Sequence, residues 1–540
     1  MTGAALLLAG SFGLPLCLAL LLAIWPRSRR RSLDLLILAP LPGLLAALLV
    51  PTGQIVVSPS PFRMVLVLDG PGALLLGGAS LLWLGAGFYA RTYMAGSARA
   101  ARFAVWWLMT LAGSLAVFLV ADLASFYLAF ALASLPAYGL VTQEGSARAG
   151  RAGFYYMALA MAGEAVLLLA FVALAQGATG SPLISVAVAG LAGSPHATLI
   201  LVLLVVGFGI KMGLAPLHVW MPLAHPVAPM PASAVLSGIV VKAGVIGLVR
   251  FLPLDMAWPV AGMAVSALGL FTAFYAAGVG LTQQHPKTVL AYSTVSQMGL
   301  IAALLGSGLA AGIPGVAMIA TFYALHHMLV KGALFMGVGL VWGPWWRAWL
   351  LWFVLAVLGL SLAGLPLTSG ALAKYAAKSV MGSGWVAVLA TLTATGSTML
   401  MLHFLRCMDR QVQAGGGGQP NRALLLPWFL VAAASVLVPW ALFGAATGLA
   451  PATTLSPKAL WAGLWPMMLG AGLLGALRLF GRPLPALPEG DVIVLFDRAG
   501  PPVSALVERI TLFEARLRQW SVATGLLVAF VLALAAAFAA

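Results

Sequence analysis

Charged residues are scarce in this 540-residue chain. Only 7% of its residues are charged and 62% are hydrophobic, whereas a soluble domain carries roughly a quarter charged residues. No water-soluble fold could cover so much apolar surface. Apolar runs of about 20 residues, each long enough to span a hydrocarbon core of ~30 Å, recur along the whole chain. The sequence therefore predicts an all-α polytopic membrane protein.

Cysteine is nearly absent as well. Cys17 and Cys407 lie far apart in separate apolar runs, which excludes a disulfide framework, a CxxC motif and a cysteine metal site. The sequence contains no nucleotide-binding loop, cofactor ligand set or catalytic dyad. We therefore expect no cofactor, no metal and no redox chemistry in this chain, whose energy must come from partner subunits or from a second ion gradient.

The apolar runs indicate about sixteen transmembrane helices. The first run lacks a basic leader, so we expect a retained helix and not a cleaved signal. The expected spans are 3–24, 33–51, 70–90, 103–120, 122–142, 152–175, 198–221, 233–253, 258–281, 288–306, 311–341, 349–378, 384–405, 424–448, 459–480 and 520–539.

The net charge of +16 is distributed unevenly over the gaps between these spans. Alternate gaps hold nearly all of the arginines, and the other set holds little more than Arg63, Arg250 and Lys458. The positive-inside rule makes the arginine-rich set cytoplasmic and places both termini on the extracytoplasmic side. Most of the charge then orients the chain and contacts lipid headgroups, so nucleic acid is not an expected partner.

Two segments differ from ordinary spans. Residues 52–68, with valines around Pro59 and Pro61, predict a short extracellular hairpin. Residues 491–519 mix acidic, basic and apolar positions in the manner of an amphipathic helix on the cytoplasmic face.

Five of the seven lysines lie within or beside apolar spans, where a charge costs at least a few kcal/mol. They are Lys211, Lys242, Lys331, Lys374 and Lys378. Lys378 could instead extend to the headgroups, because a long side chain near a helix end can do so. For the others we favour a functional role, since a buried lysine can exist in neutral and charged forms as neighbouring charges change.

Glu164, His326 and His327 are the other ionisable candidates within spans. Glu164 is the only acid deep within a predicted helix, and we interpret it as the partner of a buried lysine; a helix-packing hydrogen bond is the alternative. His327 lies four residues before Lys331, on the same helical face, and can relay protons. A packed core histidine is the competing interpretation.

Glycines and prolines interrupt the helices of two lysines. Gly213, Pro216 and Pro222 follow Lys211, whereas Gly364, Pro366 and Gly370 precede Lys374. Broken backbone at membrane depth survives only where it lines protein or water, and paired broken helices in two halves of a transporter indicate the ion site.

The sequence resembles the antiporter-like subunits of respiratory complex I, a family that includes subunits of Mrp cation/proton antiporters and membrane-bound hydrogenases. The similarity covers roughly residues 70–410. It lies in the stretch KMGLAPLHVWMPLAH from Lys211 to His225, in LAYSTVSQMG from Leu290 to Gly299, in His327 to Lys331, and in Leu365-Pro366 followed by Lys374.

This resemblance implies two inverted five-helix repeats, each with a broken helix, joined by a polar axis at mid-membrane. We accordingly expect N-terminal helices over 1–102, a first repeat over 103–253, a second over 254–410 and C-terminal helices over 411–540. In order along the axis it implies roles for Lys211, Lys242, His327, Lys331 and Lys374. His218, His225, His326, Lys378, Pro216 and Pro366 are the supporting residues.

One position departs from the family pattern. Where the family has a glutamate after Phe-Tyr, this sequence has Ala131. Our hypothesis is that Glu164, one helix later, supplies the carboxylate for Lys211 from a different backbone position.

The leading interpretation is a subunit that translocates protons or sodium ions in a redox-driven or antiporter complex of the bacterial or archaeal inner membrane, with other membrane subunits as partners. One alternative is a membrane partner of a proton-coupled uptake system for inorganic carbon or another small solute. The other is a scaffold that has kept the fold and lost conduction.

Overall fold

The computed structural model describes residues 3–25, 31–53, 55–57, 64–177, 181–340, 343, 348–415, 421–481 and 487–493. Within them the chain is a polytopic bundle of α-helices, as expected from its composition. The predicted final span 520–539 and nearly all of the predicted amphipathic helix 491–519 lie outside the described residues. Residues 1–487 form one compact unit and 488–540 a second, of which residues 488–493 are described.

In the described part of the chain, ten α-helices precede the first break in the bundle, which follows residue 212. These helices are α1 (Gly3–Ile24), α2 (Ser32–Leu38), α3 (Leu41–Leu49), α4 (Gly70–Tyr93), α5 (Ala100–Ala116), α6 (Leu123–Ser134), α7 (Ala137–Val141), α8 (Ala147–Gly177), α9 (Ile184–Ala189) and α10 (Ala197–Met212).

The remaining helices contain a second break after residue 363. They are α11 (Trp220–Val227), α12 (Met230–Val235), α13 (Lys242–Phe251), α14 (Pro259–Gly280), α15 (Pro286–Ala311), α16 (Val316–Val338), α17 (Trp349–Ala363), α18 (Ser369–Met381), α19 (Trp385–Gln413), α20 (Leu425–Thr447) and α21 (Pro457–Phe480).

Within the described residues, twelve helical segments are long and apolar enough to cross a membrane. The shorter apolar helices are Ala100–Ala116, Ile184–Gly193, Ala197–Met212 and Trp349–Ala363. The predicted span 349–378 corresponds to α17 and α18, which are separated by the break that begins at Gly364. The total of sixteen spans stays a prediction.

A two-stranded hairpin lies between α3 and α4. Strands β1 (Ile55–Val57) and β2 (Val65–Val67) pair antiparallel, with Val56 opposite Leu66. The backbone of β2 continues onto the segment before α6, where the Asp122 carboxylate accepts the Val65 N–H at 2.9 Å and the Ser125 N–H at 2.8 Å. The same aspartate therefore caps α6 and fixes the hairpin against it.

The protein core is formed by α12, α13, α15 and α16, which include the helices of Lys242 and Lys331. The most hydrophobic stretches of Met230–Phe251 and Pro286–Ala311 are buried throughout, and that of α16 is buried at nearly every residue. The outer helices α1, α20 and α21 are mostly exposed and apolar, as is required of helices that face lipid. Lys242 on α13 and Lys331 on α16 are fully buried in this core.

Candidate functional site

The first broken helix ends at a glycine. Gly213 has a φ of 77°, in the left-handed region, which a residue without Cβ adopts without strain. The Gly213 N–H bonds to Ile210 O at 3.1 Å and the Leu214 N–H to Gly209 O at 2.8 Å, the pattern of a Schellman cap. Pro216 then prevents the helix from resuming. The sequence therefore places Lys211 in the last turn of α10.

The second broken helix ends in the same way. Gly364 has a φ of 102°, its N–H bonds to Leu360 O and Ser361 O, and the Leu365 N–H bonds to Leu360 O at 3.1 Å. Pro366 follows, as Pro216 does in the first break. Both breaks therefore follow from the same local chemistry, a left-handed glycine and then a proline.

Lys211 is buried against two hydroxyl groups. Its Nζ donates to Ser134 Oγ on α6 at 2.5 Å and to the Tyr156 hydroxyl on α8 at 3.4 Å, and the Tyr156 hydroxyl donates to Ser134 O at 2.7 Å. The ammonium also lies 5.7 Å from the centroid of the Phe130 ring. Two polar contacts and an aromatic face thus replace the water that an ammonium loses on burial.

Glu164 lies in the same cluster, on α8. It is 7% exposed, interacts electrostatically with Lys211 and hydrogen-bonds to Ser134. No ion pair of 4.0 Å or less joins Glu164 to Lys211 within the described residues. The structure thus brings the two charges to one cluster with the Ser134 hydroxyl between them, and not into direct contact. Ser134 is one helical turn beyond Ala131, on the same face of α6.

Lys242 and His327 form the central contact of the chain. Lys242 Nζ lies 2.5 Å from His327 Nδ1 and 3.1 Å from Ser237 O, and both side chains are fully buried. Residues Leu236–Val240 form a π-helical turn just before α13, a feature that is frequent at functional sites. This turn places the Ser237 carbonyl within reach of the lysine five residues later.

Lys331 extends this contact along α16. It lies one turn after His327, interacts with it electrostatically, and its Nζ donates to Leu290 O on α15 at 2.8 Å. The Ser237 and Thr294 hydroxyls bond to each other at 2.7 Å, beside the same carbonyl, which Thr294 Oγ1 also contacts. Two lysines and an imidazole from α13 and α16 therefore share one fully buried polar layer.

His326 leads from this layer towards the second break. Its Nδ1 lies 2.8 Å from Ser369 Oγ, at the start of α18, and it interacts electrostatically with Lys242 and with Lys374. Lys374 Nζ donates to Ala363 O at 2.9 Å, at the C-terminal end of α17. That helix end carries a partial negative charge, which stabilises an ammonium.

The ring nitrogens of the two histidines differ in their surroundings. Within the described residues, Nε2 of His326 and Nε2 of His327 are buried without a hydrogen-bond partner. If Lys242 donates to His327 Nδ1, the neutral imidazole carries its proton on Nε2. Each histidine therefore keeps one nitrogen in contact with a neighbouring side chain and one available for proton exchange.

A third buried histidine, His225, lies beside Lys287. His225, at the end of α11, is fully buried, and neither of its ring nitrogens has a hydrogen-bond partner in the described part of the chain. It interacts electrostatically with Lys287 and Lys331. Lys287 donates to Ala228 O at 2.5 Å and to Pro226 O at 3.3 Å, directly beside this histidine.

The other predicted site residues occupy supporting positions. His218 is fully buried between the rings of Tyr275 and Tyr292, at 5.4 and 6.0 Å. Lys378 lies one turn after Lys374 with an exposed side chain. Five participants were missed by the sequence-based reasoning: Ser134, Tyr156, Ser237, Lys287 and Ser369. Only Lys287 carried a signal, as a lysine next to the LAYSTVSQMG motif.

The arrangement can pass protons from group to group. Amine, imidazole, hydroxyl and carboxyl side chains lie in hydrogen-bond or electrostatic contact from Lys211 and Glu164 to Lys374, apart from the step between Lys211 and Lys242, for which no direct contact is present among the described residues. The same residues contain no cluster of three or more histidine, cysteine or acidic groups placed to hold a metal ion.

Comparisons with known proteins identify relatives over the part of the chain that carries these residues. Residues 120–400 match the family described as "NADH:quinone oxidoreductase/Mrp antiporter, TM". Hydrogenase-4 component B of Escherichia coli is 32% identical over 295 residues, which is 52% of this chain and 43% of that protein. An NAD(P)H-quinone oxidoreductase chain 4 of Synechococcus is 33% identical over 42% of this chain and 41% of that protein. The chain therefore spans less than half the length of these curated relatives.

Solved structures share the fold over a longer stretch. A chain of the Mrp complex from Dietzia matches 99% of this chain and 62% of its own length, with a TM-score of 0.75 and 23% identity. A chain of the archaeal membrane-bound sulfane sulfur reductase matches 87% of this chain and 99% of its own length, with a TM-score of 0.69 and 21% identity. Both likenesses show the fold.

Proposed function

The chain belongs to the NADH:quinone oxidoreductase/Mrp antiporter transmembrane family, and from that premise we propose that it translocates protons across a membrane as one subunit of a larger complex. The contact between Lys242 and His327, at 2.5 Å in the centre of the bundle, is the observation that carries this proposal. A buried ammonium against an imidazole leaves two basic groups competing for one proton. Such a pair passes a proton when a charge arrives on either side.

The pathway uses groups that both bind and release protons. Lys211 and Glu164 lie at one end, Lys242, His327 and Lys331 in the middle, and His326 and Lys374 at the other end. A fixed positive charge on any of these lysines repels the next, so loading one group favours release from its neighbour. Helix breaks at both end lysines support water access there.

Protons suit this pathway better than sodium ions. Selective sites for alkali cations are built from rings of carbonyl oxygens or carboxylates. Here the central groups are amines and an imidazole, and the backbone carbonyls nearby already accept hydrogen bonds from Lys242 and Lys331. A sodium ion would also meet two ammonium groups in the same layer.

We place proton uptake on the side of Lys287. Glu144, on the exposed turn before α8, and Arg148 interact electrostatically with Lys287, whose neighbour His225 interacts with Lys331. This series runs from an exposed carboxylate through a buried histidine to the central layer. The chain carries no energy source for this movement, so we propose that partner membrane subunits, in a hydrogenase-like, quinone-reductase-like or Mrp-like assembly, drive it in a bacterial or archaeal inner membrane, with both termini extracytoplasmic.

The test is proton transport in membrane vesicles from host cells that carry single chromosomal substitutions. We expect Lys242→Met to reduce the rate of substrate- or gradient-driven acidification at least about a hundredfold, the lower end of the effect of removing a positioned proton-transfer group. Lys458→Met, which removes an exposed lysine from the first turn of α21, is the matched control and should leave the rate unchanged. Replacement of sodium by choline should also leave it unchanged.

Wild-type rates in the Lys242→Met vesicles, at equal amounts of protein in the membrane, would contradict the proposal. A rate that needs sodium and vanishes in choline would contradict the choice of protons.

A further inference from the structure

A cavity of about 420 Å³ lies beside the second helix break. The turn between α17 and α18 forms one wall, and α18, α19 and α21 form the others. Lys374 and Lys378 project from α18 into it, one helical turn apart on the same face. Its volume exceeds what a single file of water molecules would need to carry protons to Lys374.

The two lysines give the cavity a positive end. Lys374 Nζ uses one of its three N–H groups on Ala363 O. Lys378, with an exposed side chain, stands one turn nearer the end of α18. None of the lining residues, all of which are described, is acidic. Two cations therefore face one space that contains no carboxylate to balance them.

The opposite walls are apolar. Val388 and Leu392 on α19 line the cavity together with Leu460 and Trp465 on α21, and Val388 is 56% exposed. Predominantly apolar walls with a few convergent polar groups are typical of small-molecule sites, whose volumes run from about 300 to 1,000 Å³.

These features select the chemistry of an occupant. Paired ammonium groups bind an anionic headgroup through charge-assisted hydrogen bonds, and the apolar walls bind an alkyl chain. The volume lies near the lower end of the range for such sites, which suits one chain and not the two of a phospholipid. The lipid around α19 and α21 is the natural source of such a molecule.

We propose that this cavity binds a single-chain anionic amphiphile, with its headgroup on Lys374 and Lys378 and its chain between α19 and α21. The bound headgroup displaces water from Lys374 and so blocks proton exchange at that end of the pathway. This second clause rests on the proposed function, whereas binding itself does not.

The test uses the full-length chain in nanodiscs of phosphatidylcholine, with decane-1-sulfonate below its micelle concentration as the probe. A sulfonate is anionic at every working pH and does not carry protons across bilayers. Titration calorimetry should show one saturable site per chain that 1-decanol, which has the same chain and no charge, does not fill with comparable affinity.

Two substitutions address the two halves of the site. Lys378→Gln removes one charge and should weaken binding about tenfold, the effect of losing one charge-assisted hydrogen bond. Ala462→Leu fills the space beside α21 while both lysines remain, and should weaken binding at least as much. Lys458→Gln removes an exposed lysine that does not line the cavity and should bind the probe as the wild type does.

Binding that never saturates, or equal binding by all four proteins, would overturn the site. Saturable binding without inhibition of vesicle transport would overturn the blocking step alone. If transport itself is absent while the site binds the sulfonate, the proposed function fails and the amphiphile site stands.

Discussion

The two broken helices share one backbone design and differ in what surrounds their lysines. Gly213 and Gly364 both end a helix with the same cap and are followed by a proline. Lys211 then meets two hydroxyls and, through Ser134, a carboxylate. Lys374 instead meets a helix-end carbonyl and an apolar cavity.

The difference shows that backbone interruption and charge compensation are separable. The break supplies free carbonyls and access, and in both halves a left-handed glycine ends the helix and a proline follows it. Compensation of the lysine depends on which side chains the neighbouring helices present. In the first half a carboxylate does this, and in the second half a helix dipole does, with a weaker field that is screened by any water in the cavity.

The largest expected effect comes from a substitution at the close contact between the backbones of α17 and α18, in the second half. In Gly370→Ala the new Cβ would lie 1.6 Å from Ser361 O, so α18 must move away from α17 and lose the contact of Lys374 with Ala363. We expect a loss of stability of about 3 kcal/mol or more and complete loss of transport, measured by thermal unfolding in detergent and by vesicle acidification.

Gly278→Ala is the control, since a Cβ there meets nothing within 4 Å. If the Gly370 variant transports normally, α18 adapts without its close approach to α17, and the two halves differ in rigidity as well as in charge.

The carboxylate of the first half is the next place to test the comparison. Glu164→Gln removes the negative charge near Lys211 and keeps the shape, so Lys211 loses its only acidic partner in the described cluster. We expect transport to fall at least about tenfold, while the amount of folded protein stays the same.

A second substitution makes this test specific. Ala131→Glu in the Glu164→Gln background returns a carboxylate to the face of α6 that carries Ser134, and we expect it to restore most of the transport. Normal transport by Glu164→Gln alone would remove the carboxylate from the mechanism and make the two halves equivalent. If Glu164→Gln loses transport and the double variant does not regain it, a carboxylate on α6 cannot replace Glu164.

Removal of the Ser134 hydroxyl, which lies between Lys211 and Glu164, should have a smaller effect. Ser134→Ala removes the 2.5 Å contact of Lys211 and the bridge to Glu164. A hydrogen bond to a charged group contributes about 1.5–3 kcal/mol, but Lys211 keeps its contact with the Tyr156 hydroxyl in this variant. We therefore expect a smaller loss of about 1–1.4 kcal/mol, which is a roughly fivefold to tenfold fall in transport measured in vesicles. Ser114→Ala is the matched control, because the Ser114 hydroxyl donates to Thr110 O within its own helix. Equal losses of transport in both variants would mean that the effect comes from packing and not from the contact with Lys211.

Much of the architecture could be predicted from the sequence because its signals are local. Glycine followed by proline at Gly213 and Gly364 indicated both breaks, and the spacing of His327 and Lys331 placed them on one helical face. Apolar length alone merged α17 and α18 into one span, because Leu365 and Leu367 keep the broken segment hydrophobic.

The partners of the lysines were not predictable in the same way. Leu290, Ala363 and Ser237 act through backbone carbonyls, which every residue has, so no side-chain pattern marks them. Ser134 and Tyr156 are ordinary helix residues until packing brings them to Lys211. The sequence predicted Glu164 as the carboxylate for Lys211, but it could not predict the Ser134 hydroxyl beside both groups, which depends on how α6 and α8 pack.

The smallest expected effect concerns the second break itself. Leu367 has a φ of 67°, a conformation that costs a residue with a Cβ about 1–2 kcal/mol, and its side chain is 65% exposed. Leu367→Gly relieves that cost but raises the entropy of the unfolded chain, so we expect a net gain of about 0.5 kcal/mol, visible as a slightly higher Tm in detergent. The carbonyl of residue 367 still accepts from Trp440 Nε1 in this variant, so the turn keeps its anchor. A lower Tm would mean that the leucine side chain stabilises the break, and that the second half, unlike the first with Gly213, depends on a side chain as well as on its glycine.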